Sequence, residues 1–293
     1  LAICLVGPAR ADRPIEQVSA GHEIAVIGDF GTDAPAADRV AELVRSRNPV
    51  AVITVGDNAY DTNDYGRVVG ARYCRYLAAT PVWAQCPTAE QSSVNRFFPA
   101  AGNHDHSDAG IDVFQESFLA VRARTWYAVT REGVEFLVLD SQLALDDAAA
   151  MAAQRAWLRE RALGSRARWQ VVVLHHPPYS SSTGHGSTRA FQWPFRNWGI
   201  DLVLAGHDHG YERLSRWGLT YVVNGAGGAD LYRLGPRVQG SLVGEDRIHG
   251  ALFVTPSGDR LQGRFRSTTG EIIDTFTVSS PPPLTGDGFR PNS

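Results

Sequence analysis

Short apolar runs that stop at a glycine and then a carboxylate, amide or imidazole recur along this chain. Residues 23–28 ("EIAVIG") form the first and end at Asp29; residues 50–56 ("VAVITVG") form the second and end at Asp57. Between them Val40, Leu43 and Val44 fall at helical spacing until Asn48-Pro49 breaks the pattern. Strand, helix, strand predicts a βαβ unit, and its repetition predicts a parallel sheet flanked by helices. "FFPAAG" then leads into Asn103-His104-Asp105, "WQVVVLH" ends in His175, and "LVLAG" (202–206) ends in His207-Asp208-His209. "IDVFQESFLAVRAR" reads as a helix, and "AAQRAWLRERALG" as an amphipathic helix closed by Gly164. "WYAVTREGVEFLVLD" reads as a hairpin turning at Glu132-Gly133, and from Trp217 onward the chain is mostly hairpins. Residues 60–96 are polar and irregular, and residues 280–293 have no core-forming pattern and read as a disordered tail.

At 293 residues and 43% hydrophobic, the chain can bury a large core. No linker divides it, so residues 23–279 are expected to form one domain. A net charge of −3 with no basic run argues against nucleic acid or an anionic membrane surface as partner. No stretch is apolar for long enough to span a bilayer.

The start of the chain bears on its location. Leu1 to Val6 is apolar and leads to Ala9-Arg10-Ala11, a small-x-small pattern like a signal-peptidase site. Residues 1–11 therefore read as the remnant of a secretory signal, residues 12–22 as a polar lead, and the protein as secreted or periplasmic. An apolar edge strand is the alternative. On the secretory reading Cys4 leaves with the signal, and Cys74 and Cys86 remain as a pair for one disulfide or as two free thiols.

Asp29, Asp57, Asn103, His175, His207 and His209 all lie just past the C-terminal ends of apolar runs. In a parallel sheet those ends share one edge, so five segments deliver oxygen and nitrogen ligands to one place. Gly28, Gly31, Gly56, Gly102 and Gly206 stand beside them, where the backbone must turn or approach closely. Mixed carboxylate, imidazole and amide donors suit first-row transition metals rather than calcium, and there are more donors than one tetrahedral ion needs. Two ions sharing an aspartate serve in-line displacement at phosphorus.

"GDFG", "GDNAY", "GNHD", "VVLH" and "GHDH", in this order across residues 28–209, resemble the five metal-binding blocks of the calcineurin-like metallophosphoesterases. The tyrosine in "GDNAY" resembles the purple acid phosphatase branch, and "GNHDH" its small tartrate-resistant type. The resemblance implies a four-layer α/β/β/α sandwich with the site at strand C-termini. It implies Fe(III) at Asp29, Asp57, Tyr60 and His209, and Fe(II), Zn(II) or Mn(II) at Asp57, Asn103, His175 and His207. His175 is preferred to His176 because the family ligand stands two places before the first proline, and His176 is expected on the opposite face of the strand. His104, and His185 in "SSTGHG", are implied to bind the phosphate and protonate the leaving alkoxide. His106 is a candidate support for a ligand, and Asp105 and Asp208 are candidates to orient ligand imidazoles.

The implied function is a secreted phosphatase in which a hydroxide held by the ions attacks a phosphate monoester in line. A phosphodiesterase or nucleotidase using the same site is one alternative, and a non-catalytic metal- or phosphate-binding protein is another. Tyr65, Trp83, Tyr179 and Trp193 in the loops are expected to pack rather than stack on a nucleobase.

Overall fold

In the computed structural model, which describes residues 22–78, 83, 86 and 92–279, the apolar runs become strands of two packed sheets. The proposed signal remnant at 1–11 with its Cys4, the 12–21 lead and the 280–293 tail lie outside the described residues. The first half of the chain forms β1 (Ile24–Ile27), α1 (Pro35–Arg47), β2 (Ala51–Thr54), α2 (Ala71–Tyr73), β3 (Phe97–Pro99), α3 (Asn103–Ser107) and α4 (Ile111–Ser117). Next come β4 (Tyr127–Arg131), β5 (Val134–Val138), α5 (Ser141–Asp146), α6 (Ala148–Gly164), β6 (Trp169–Val173) and β7 (Leu202–Ala205). The last part is all strand: β8 (Tyr211–Arg216), β9 (Leu219–Asn224), β10 (Ser241–Glu245), β11 (Gly250–Ser257), β12 (Arg260–Ser267) and β13 (Ile272–Ser279).

One sheet has the order β13-β12-β11-β1-β2-β3 and the other β10-β8-β9-β7-β6-β5-β4. β1, β2 and β3 run parallel, as do β5, β6, β7 and β9, so each sheet presents a block of aligned C-terminal ends. The alternation of side chains along these strands makes the layers. Ile24 and Val26 of β1 join Phe136, Val171 and Leu204 in the core between the sheets. Ala25 and Ile27 turn outward to meet Val40 and Val44 of α1. On the other sheet Leu137, Val172 and Val203 face outward against Leu158 and Ala162 of α6. Strands buried on both faces, with helices outside, give the α/β/β/α sandwich, each large apolar side chain contributing roughly 1.5–3 kcal/mol.

The sheets are stitched at their C-terminal ends. Asn224 Nδ2 donates to Val26 O at 2.8 Å and Gly227 N to Gly28 O at 3.0 Å. α1 ends at Asn48 in the left-handed region (φ 46°), and the Glu132-Gly133 turn closes the β4–β5 hairpin with φ 50° and 76°. The helix expected over "IDVFQESFLAVRAR" is cut short: it stops at Ser117 because Phe118 turns extended (φ −114°, ψ 122°) and buries its ring against Phe97 and Trp83. Residues 66–76 are helical, not irregular, beginning with a π-type turn at Gly66–Gly70. Tyr65 and Trp83 pack in the core as expected.

Cys74 and Cys86 form a disulfide. Replacing both by serine is expected to lower stability by about 3 kcal/mol, through a less restricted unfolded chain. Urea unfolding with and without the replacement checks this. Among the described residues no helix is long and apolar enough to cross a membrane.

Candidate metal centre

β1, β2 and β7 hand their candidate ligands over through strained turns. Asp29, Asp57 and His207 have φ of 57°, 54° and 68°, a region that costs a side chain of this size roughly 1–3 kcal/mol each. The strain curls both carboxylates and the imidazole back toward the cleft between the sheets. Glycines clear the space: a Cβ at Gly206 would lie 2.5 Å from Asp29 Oδ2, and one at Gly102 would overlap the Asp57 carboxylate. Asp29 and Asp57 are fully buried, and among the described residues their ion-pair partners are imidazoles, with no arginine.

The side chains converge as two groups. Asp57, His175 and His207 offer ligand atoms within 4.8 Å of one another, and so do Asp29, Asp57 and His209. Asp57 belongs to both. Asn103 Oδ1 joins the first group, 2.9 Å from His175 Nε2, and Tyr60 OH joins the second, 3.1 Å from His209 Nε2 and 3.3 Å from Asp29 Oδ1. All seven residues implied by the resemblance as ligands are thereby brought together.

The hydrogen-bond chemistry of this cluster suits cations. His175 Nδ1–H donates to Val55 O at 2.9 Å, which in a neutral ring leaves the Nε2 lone pair facing inward. His207 Nδ1 sits 3.1 Å from that same Nε2. His209 Nδ1–H donates to Asp230 O at 2.7 Å, turning its Nε2 toward Asp29 and Tyr60. Lone pairs and carboxylates packed this closely repel unless a proton or metal ion lies between them, and fixing one imidazole nitrogen on a carbonyl is how ligand histidines are held. The residues therefore fit a two-metal centre.

Electrostatics give the same picture. Burial works to raise Asp57, but the charge and hydrogen bond of His175, with His104, hold its carboxyl near 2. Burial would lower His175, but the Asp57 carboxylate lifts it to about 9. Burial, followed by the charges of Asp57 and Asp29, pushes the Tyr60 phenol well above its ordinary range. Burial and the imidazoles of His175, His176, His185 and His209 push His207 far down, so it stands as a neutral donor.

Around the ligands, His104 donates its backbone N–H to Asp57 Oδ1 at 3.0 Å, and its Nδ1 bonds the Asp108 carboxylate. Its ring lies 4.3 Å from that of Tyr60. His185 is exposed at the rim and stacks on His207 at 3.9 Å. His176 departs from expectation. β6 ends at Val173, so strand alternation no longer governs the two histidines, and the His176 ring lies 4.3 Å from His207 instead of on the far face. Its Nδ1 bonds Ser141 Oγ, and burial together with His175 lowers it to about 3.

His106 pairs with the buried Asp140, not with a ligand. Asp105 and Asp208 do not orient imidazoles either. Asp105 accepts from Asn58, Gly102 and Tyr65, and Asp208 from the backbone of His185 and Gly186, so both brace loops. Tyr232 went unrecognised in the sequence: it stacks on His209 at 4.1 Å and meets His185 edge-on at 5.5 Å. It sits in an irregular loop where no spacing marks it.

A two-sheet α/β sandwich with paired carboxylate–imidazole groups at its strand ends is the architecture of the metallophosphoesterase class. Residues 22–211 match the calcineurin-like phosphoesterase family, and the chain belongs to that family. Purple acid phosphatase 15 of Arabidopsis thaliana is 27% identical over 247 residues, covering 70% of this chain and 44% of the relative. The chain spans about half the length of the curated relatives it matches. Purple acid phosphatase PPD1 from yellow lupin has the same fold, with a TM-score of 0.69 at 18% identity over 88% of this chain and 53% of that one. GAP50, the anchor in the inner membrane complex of Plasmodium, matches with a TM-score of 0.69 at 17% identity over 90% of each chain.

Proposed function

We propose that this chain hydrolyses phosphate monoesters at a dinuclear metal centre. The observation that carries the reading is that one buried carboxylate, Asp57, belongs to both ligand groups. Asp29, Tyr60 and His209 would complete an Fe(III) site, since phenolate and carboxylate are hard anionic donors. Asn103, His175 and His207, neutral apart from the shared Asp57, would complete a site for Fe(II), Zn(II) or Mn(II). Bound ions supply Lewis-acid polarisation of the phosphoryl oxygens and lower the pKa of coordinated water.

The protein's own groups do the rest. His104 is assigned proton delivery to the departing alkoxide: Nδ1 is committed to Asp108, which leaves Nε2 free to donate. His185 is assigned a phosphate contact beside it, and its stacking on His207 supports that role. Asp57, held by the His104 N–H, keeps its charge at acidic pH. The disulfide supports a secreted or periplasmic location.

Tyr60→Phe is expected to abolish the visible tyrosinate-to-iron absorption band while leaving both ions bound. Retention of the band after that replacement removes Tyr60 from the ligand set. Turnover of an aryl phosphate against a bis-aryl phosphate tests the monoesterase reading; faster turnover of the diester assigns the site to diesters.

A further inference from the structure

The turn joining β8 to β9 places a tryptophan where the backbone disfavours one. Arg216 pairs with Leu219, so Trp217 and Gly218 form a two-residue hairpin loop, with φ of 55° and 72°. Such turns call for asparagine, aspartate or glycine, and a bulky side chain at positive φ is an outlier costing roughly 1–3 kcal/mol. Burial does not compensate, because Trp217 is 78% exposed. An exposed indole held in strained backbone needs another reason.

Beside it opens a cavity of about 470 Å³, a size in the usual range for small ligands. Its floor is made of the buried rings of Trp193, Phe195 and Tyr221. Arg216 fixes the indole: its guanidinium lies over the rings of both Trp217 (5.4 Å) and Tyr179 (4.9 Å) and donates to Gln239 O at 2.9 Å. The rim carries the amides of Gln192 and Asn197 and the exposed Arg196, whose guanidinium makes no hydrogen bond or close ion pair among the described residues and whose charge acts on Asp201. Among the described residues no carboxylate lines the cavity. The site is separate from the metal centre. Thr220, three residues on from Trp217, pairs with Leu202 at the start of β7, whereas His207 and His209 follow its far end at Ala205.

We propose that this pocket binds an acidic saccharide, a hexuronate unit seated with its ring on Trp217 and its carboxylate on Arg196. A pyranose has an apolar C–H face suited to the electron-rich face of an indole, and hydroxyls suited to amide side chains. The exposed guanidinium, free of hydrogen bonds, selects a sugar carrying an anion.

The test uses the full chain with trigalacturonate, with maltotriose as the neutral sugar and benzenesulfonate as an aromatic anion. Binding is read by calorimetry and tryptophan fluorescence. Trigalacturonate is expected to bind and maltotriose to bind at least about fivefold more weakly, reflecting the lost carboxylate–guanidinium pair. Trp217→Ala is expected to weaken trigalacturonate about tenfold, for the loss of one stacked ring. Arg196→Gln should weaken it about fivefold and remove its salt dependence. Aryl phosphate turnover should stay unchanged in both variants, which also shows that they are folded. Absence of trigalacturonate binding overturns the proposal, as does equal binding of maltotriose. Binding that neither replacement alters also overturns it, and binding of benzenesulfonate alone reassigns the pocket to an aromatic anion.

Discussion

Asp57→Ala is expected to lower kcat/KM for an aryl phosphate by about three orders of magnitude or more, beyond the 10–100-fold typical when an outer support of a metal ligand is lost. The reason is its shared position. Asp57 contributes to both ligand groups, is buried, and is the main charge partner of His175. Its removal takes an anionic donor from both ions at once, so metal content should fall together with activity. Replacing Asn103 removes a neutral donor from one group only and should affect one ion. Metal analysis of both variants, with circular dichroism to show folding, reads the difference. An Asp57→Ala protein that keeps both metals and near-normal turnover contradicts the shared-ligand assignment.

His104→Ala is expected to reduce kcat by about 10²–10⁴-fold while leaving metal content intact. His104 hydrogen-bonds Asp57 through its backbone N–H, so truncating the side chain spares that bond and removes only the imidazole's charge interaction. Its Nδ1 is tied to Asp108, so Asp108→Asn should give a smaller defect of the same kind. The leaving group supplies the diagnostic. An alkyl phosphate needs a proton on its departing oxygen and should suffer the full loss, whereas p-nitrophenolate leaves without one and should suffer much less. An equal defect on both substrates makes His104 a phosphate-binding group instead of a proton donor.

The strands and the candidate ligands at their ends were legible because they obey one local rule. A short apolar run buried on both faces, followed by glycine and a donor residue, places that donor at the sheet edge whatever the loops do. Asp29, Asp57, Asn103 and the His207/His209 pair all follow it. His176 did not, because the chain leaves β6 at Val173 and two-residue alternation lapses before His175 and His176 are reached. The helical stretch at 66–76 was hidden by Gly66 and Gly70, which weaken any propensity signal across so short a segment. Tyr232 and Asp230 act from positions fixed only by tertiary contacts. Sequence spacing carries no trace of them. Asp105 and Asp208 show the converse: their neighbours in the chain are ligands or catalytic candidates, yet their carboxylates turn away to hold loops.

Hydrolysis at this centre is expected to depend on its metal ions. Metal content should be measured on protein from a secretory host, before and after chelation, alongside turnover of an aryl phosphate. About two ions per chain are expected, with turnover lost on chelation and restored on adding back iron with zinc or manganese. Undiminished turnover by the fully stripped protein, or no turnover with two ions bound, contradicts it.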